Sequence, residues 1–234
     1  MTKAWYELDS RPTGARYWAA VVRKQPSAVL VAIQLFAIIL LPWVESEPWG
    51  RVVITSLSLF AVTFGIWVVR STPALTWLAL LIGFPAFVLE VWSVLEPADH
   101  VVGFTAHLLL AVFYFYVAYG LVAYMFADTW VTKDELFAVG AAFTVLLFGF
   151  AYLFVAIQTL APGSFIGHSN EPQLTFLELL YYSGANLTSV GLSDITAVRP
   201  HARAATIIEQ LSGVLYVAMV ISRLVALTVM RARS

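Results

Sequence analysis

Six long runs of apolar residues dominate the chain, at 27–44, 52–69, 73–89, 101–126, 136–160 and 205–230. Each is about 17 to 26 residues long, and at about 1.5 Å of rise per residue such a helix crosses a hydrocarbon core of about 30 Å. The apolar positions are continuous rather than alternating, which argues against the short alternating strands of a membrane barrel. The pattern therefore predicts an all-α integral membrane protein with six transmembrane helices. Residues 161–204, between the last two runs, are too many for a simple turn and too apolar in their middle to be solvated. They open with the turn signal Pro162-Gly163 and a polar stretch, Gly167-His168-Ser169-Asn170-Glu171-Pro172. Thr175-Phe176-Leu177-Glu178 then has the form of a capping box, in which each end of the tetrapeptide satisfies an amide of the other. A helix starting there and ending near Leu187 has about 12 residues, too few to span a bilayer. It reads as a re-entrant half-helix between spans five and six.

Thr188-Ser189-Val190-Gly191-Leu192-Ser193-Asp194 follows that half-helix. Irregular backbone at membrane depth is tolerated only where protein buries it or where it lines a water-filled path. A half-helix aimed inward points its partially negative C-terminal end at that path, which favours a cation. An extended segment after it presents backbone carbonyls, the ligands a dehydrating monovalent cation needs.

Composition narrows the classes. Of 234 residues 61% are hydrophobic and 12% charged, where soluble domains carry about 25% charged residues. The net charge of −1 offers no basic surface, so no nucleic-acid partner is expected. There is no cysteine, hence no disulfide, thiol nucleophile or Cys-ligated metal. With both termini cytoplasmic, Lys3, Arg11, Arg16, Arg23, Lys24, Arg70, Lys133, Arg223, Arg231 and Arg233 lie inside, against Arg51, Arg199 and Arg203 outside. That asymmetry obeys the positive-inside rule and predicts a multi-pass cell-membrane protein in this orientation. Residues 1–26, with Trp5, Tyr6, Tyr17 and Trp18 among basic residues, read as an amphipathic segment on the inner leaflet rather than a cleavable signal. The expected organisation is this segment, a four-helix transmembrane domain at 27–132 and a helix–loop–helix unit at 133–234.

The string Leu180-Tyr181-Tyr182-Ser183-Gly184-Ala185-Asn186-Leu187-Thr188-Ser189-Val190-Gly191-Leu192-Ser193-Asp194-Ile195-Thr196 resembles the pore loop of tetrameric potassium channels. Their signature there is Thr-Thr-Val-Gly-Tyr-Gly-Asp after an aromatic pair. The likeness continues through Arg199-Pro200, Ala202-Arg203, Ile208-Glu209, Gly213, Leu215-Tyr216-Val217 and Arg223-Leu224, about 95 residues in all. By this resemblance Ser189, Val190, Gly191, Leu192 and Ser193 form a selectivity filter, with Thr188 beneath it and Asp194 bracing its outer mouth. Potassium ions, the only bound group implied, would sit on Ser189, Val190, Gly191 and Leu192. A homotetramer in the lipid bilayer is implied too, since one chain supplies one loop. Two positions depart from the family pattern. Leu192 replaces an aromatic residue and its ring hydroxyl. Ser193 replaces the second filter glycine, where glycine-type angles would cost a residue with a Cβ roughly 1–2 kcal/mol.

Outside the loop the chemistry is sparse. Voltage sensing needs several Arg or Lys in one span, and span four has none, so no arginine sensor is expected. His107 reads as a pH sensor or a packed neutral side chain; Glu90 as an outer proton or cation site or an interfacial carboxylate reaching water. Tyr181, Tyr182 and Glu209 are the candidates for filter support, Glu209 either hydrogen-bonding behind the filter or packing between helices. Gly213 is a hinge or a close-packing point, and Arg223 an inner latch or a side chain snorkelling to headgroups. The leading reading is a potassium channel, not an enzyme. A weakly selective monovalent cation channel is the alternative on account of Ser193. Last comes a non-conducting membrane protein or transporter, although transporters place discontinuous helices in two related halves and only one is found. Lipid, pH, tension or a separate regulatory subunit stay open as the gating stimulus.

Overall fold

The computed structural model describes residues 25–45, 50–70, 74–95, 99–127, 133–167 and 173–233. The amphipathic reading of the N-terminal segment falls almost wholly outside them. Six long helices are present among the described residues: α1 (Pro26–Val44), α2 (Gly50–Val69), α3 (Thr76–Leu95), α4 (His100–Met125), α5 (Lys133–Leu160) and α7 (Pro200–Arg233). Between the last two stand a strand pair, β1 (Phe165–Ile166) and β2 (Thr196–Ala197), and a short helix, α6 (Phe176–Leu187). Five of the long helices, all but α2, are long and apolar enough to cross a membrane among the described residues, which makes this a multi-pass, mostly helical membrane protein.

Helix boundaries follow local chemistry. Asp99 caps α4 by accepting from the Val101 and Val102 amides at 2.9 and 3.2 Å. Pro200 opens α7, its fixed φ suited to a first turn and its missing N–H needing no partner there. That helix therefore begins five residues before the apolar run that predicted it. In the same way α3 continues past the predicted Leu89, carrying Glu90 and Ser93 on the helix.

α4 and α5 share the most extensive helix interface among the described residues. Ala106, Ala111 and Ala118 of α4 and Ala138, Ala141, Ala142 and Ala151 of α5 are all buried, so the two backbones approach closely. In lipid, where apolar surface gains nothing by leaving hydrocarbon, such close packing is the main attraction between helices. α1 and α3 pack on this pair, α2 on α1 and α3, and α6 lies between α5 and α7. The strand pair joins Phe165 to Ala197 and Ile166 to Thr196, so the stretch leaving α5 is tied to the stretch entering α7. Nothing in the hydrophobic pattern announces strands two residues long.

The first turn of α1 lacks a side-chain cap from its own chain neighbours. α5 supplies one instead. Asp134 accepts from the Ser27 amide at 3.2 Å and from its hydroxyl at 3.0 Å, placing a carboxylate at the positive end of α1. Replacing Asp134 with Ala orphans both donors and should cost about 1–3 kcal/mol, read as a lower unfolding midpoint in detergent.

Candidate pore loop

α6 is a helix of twelve residues at the place the capping box predicts, ending at Leu187. Thr175 Oγ1 accepts from the Glu178 amide at 3.3 Å and Glu178 Oε2 from the Thr175 amide at 2.7 Å, so the capping box is complete. Two anchors that sequence reasoning missed hold the same end. Glu45, just past α1, accepts from the Leu177 amide at 3.0 Å. Gln158 of α5 clamps Leu174 from both sides, its Nε2 donating to the carbonyl at 2.8 Å and its Oε1 accepting from the amide at 3.0 Å. Burial pushes the Glu45 carboxyl above the ordinary carboxylate range, with the Leu177 amide pulling the other way. The folded state therefore gains most from Glu45 at acidic pH and loses that contribution as pH rises through the elevated pKa.

Further along, α6 is fixed to its neighbours by residues buried between helices. The Tyr182 hydroxyl pairs with Thr206 Oγ1 of α7 at 2.9 Å, while its ring packs against Phe154 and Phe165. Ser183 Oγ lies between the Leu147 carbonyl of α5, at 3.0 Å, and the Glu209 carboxyl of α7. Glu209 is fully buried, and its hydrogen bond with Ser183 joins α7 to α6. Gln210 Nε2 donates to Asn186 Oδ1 at 2.8 Å, and Asn186 Nδ2 donates to the Tyr182 carbonyl at 2.8 Å.

Gly213 stands where α7 touches the end of α6. A Cβ built there would lie 1.9 Å from the Leu187 carbonyl oxygen, an impossible contact with backbone. Close packing accounts for this glycine without invoking a hinge.

The loop turns sharply after α6. Thr188 closes the helix, its amide and hydroxyl both donating to the Gly184 carbonyl at 3.2 and 2.6 Å. Ser189 then takes φ +60° and Gly191 φ +68°; with Gly163 they are the positive-φ residues among those described. The strain expected at Ser193 is thus absent, because Ser193 lies outside the left-handed region, and it falls on Ser189 instead. Ser193 serves the turn differently. Its amide donates to the Gly191 carbonyl at 3.1 Å and its hydroxyl accepts from the Ile195 amide at 3.1 Å. The Gly191 amide donates to the Ala185 carbonyl at 2.8 Å, tucking the loop under the helix end. Tyr181 donates its hydroxyl to the Leu192 carbonyl at 2.9 Å, so a hydrogen bond missing from position 192 is supplied from α6. Val190 and Leu192 are left 60% and 75% exposed in the single chain.

At the far end of α7, Arg223 pairs with Glu135 of α5 at 3.2 Å and sits 5.1 Å from the centre of the Phe126 ring. Both partners are nearly buried, so this arginine is a link between helices rather than a snorkelling side chain. Arg223→Ala removes the cationic partner of a buried carboxylate and should cost about 3–5 kcal/mol in unfolding free energy, whereas the double replacement Arg223→Met with Glu135→Leu should recover most of it. In the loop, Ser189→Gly relieves a left-handed serine and should raise the unfolding midpoint by an amount worth about 1 kcal/mol; Ser193→Gly should not. Gly213→Ala should lower it by about 2 kcal/mol or more through overpacking.

Comparison with known families now bears on this arrangement. Residues 140–230, from the middle of α5 through the loop to α7, match the family described as Ion channel. No curated protein and no solved structure matches the chain. The matched residues contain the capped short helix, the loop after it and most of α5 and α7, so this part of the chain is similar to the ion-channel family.

Proposed function

We propose that the protein is a potassium channel in which four copies of α5–α7 surround one pore and the loop 188–194 lines its narrowest part. The observation that carries this reading is a helix of twelve residues, capped at one end and followed by irregular backbone, held between two spanning helices of a channel-family domain. α6 enters from the end of the bundle where α5 finishes, and its C-terminal dipole favours a cation near Thr188. Ions would be held by the oxygens of Ser189, Val190, Gly191 and Leu192, with Asp194 at the mouth. Assembly is supported by what one chain leaves uncovered. Val190, Leu192 and, on α7, Ile207, Ile208, Leu211 and Leu215 are exposed apolar residues beside the loop.

Gating by voltage is not part of this reading. In α1–α4 the sole lysine or arginine is Arg51, in the first turn of α2, so no row of such charges is available to move in the field. With both termini cytoplasmic, the Arg223–Glu135 pair lies at the inner end, where it joins the ends of the two helices that would part on opening.

Weak selectivity is the second reading, and a specific observation favours it. The Gly191 carbonyl already accepts from Ser193 and the Leu192 carbonyl from Tyr181, so two of the expected ion ligands are shared with protein donors. Ion flux into liposomes separates the cases. With opposed potassium and sodium gradients, a reversal potential tracking potassium supports the first reading, and one near zero supports the second. Tyr181→Phe, which frees the Leu192 carbonyl, should shift that potential. Absence of any cation flux would refute both.

A further inference from the structure

At the end of the bundle where α6 begins, α1–α5 do not close on one another. They leave a cavity of about 400 Å³, within the range of small-molecule sites. Its wall carries three carboxylates, Glu45, Glu90 and Asp99, and two imidazoles, His100 and His107, with no lysine or arginine among the described residues. Asp99 and His100 are exposed. Glu90 is only 5% exposed, and the pore reading gives it no task. Its Oε1 has a long contact of 3.5 Å with the Thr55 hydroxyl, and its Oε2 has no hydrogen-bond partner. A buried carboxylate needs a counter-charge or a proton, since leaving it bare costs several kcal/mol.

The chemistry of the missing partner follows from how the charges are spread. Among the described residues no three of the acidic and imidazole groups lie close enough to hold a metal ion. Of the negative groups, Glu90 is buried in the wall and Asp99 is exposed to solvent. An extended organic cation matches that distribution. An ammonium group brings three N–H donors to a carboxylate, and a short alkyl body suits Ile54, Val155 and Leu174 of the wall. We propose that this cavity binds a small organic cation with two protonated amines, one ammonium on Glu90 and the other toward Asp99.

The test measures binding by heat, so it does not depend on ion flux. The full chain in lipid nanodiscs, in potassium chloride buffer, is titrated with 1,4-diaminobutane. Saturable binding with Kd below about 1 mM is expected. Glu90→Gln should weaken it at least about tenfold while preserving side-chain shape, and Asp99→Asn should weaken it while keeping the helix cap, because Asn caps as well as Asp. Butylamine, with one charge, should bind several-fold more weakly. Heat without saturation for the wild type, unchanged binding in both variants, or displacement of the diamine by Zn²⁺ at lower concentration would each overturn the assignment.

Discussion

Inside a bilayer no water is present to satisfy a backbone amide or carbonyl that leaves a helix. Everything around residues 174–198 answers to that constraint. The chain breaks out of regular helix twice there, before and after α6; the first break is met by groups of other elements and the second by groups of α6 itself. Glu45 and Gln158 take up the groups in front of the helix, and Gly184, Ala185 and Tyr181 those behind it. Where the segment is fully extended, β1 and β2 pair with each other. The loop can be irregular because its surroundings are not.

The same constraint explains why polar residues are few and concentrated. Thr175, Ser183, Asn186, Glu209 and Gln210 fall within α6, its cap or the facing part of α7; Thr175 caps α6, and Ser183 and Asn186 bond to Glu209 and Gln210. They fix α6 in both depth and rotation, which apolar contacts alone do poorly, since hydrocarbon side chains slide past lipid and past each other at similar cost. Gly213 adds a hard stop from the other side, where two backbones meet. Hydrogen bonds and backbone contacts together hold the end of α6 and the loop after it in place.

α1–α4 do not resemble a moving sensor in their charges, yet they are not isolated from the loop. α1 ends on the first turn of α6 through Glu45, and the cavity with Glu90 lies between these helices and the same turn. At the opposite end Asp134 ties α1 to α5 and Arg223 ties α7 to α5. The first four helices thus hold the loop-bearing unit at both of its ends.

Local information alone determined a good deal. Run lengths predicted six helices, and the tetrapeptide Thr175–Glu178 set the start of α6, because a capping box closes within four residues. The residues of the loop could be named from their order. What the sequence could not reveal depends on how each helix is rotated about its axis. A helix apolar all round carries no stripe to show which face turns inward. So the burial of Glu90, the pairing of Glu45 with an amide 132 residues away, the clamp from Gln158 and the choice between hinge and packing at Gly213 were decided only in three dimensions. The left-handed turn at Ser189 rather than Ser193 belongs with them, since it arises from how the loop must fold back beneath the end of α6.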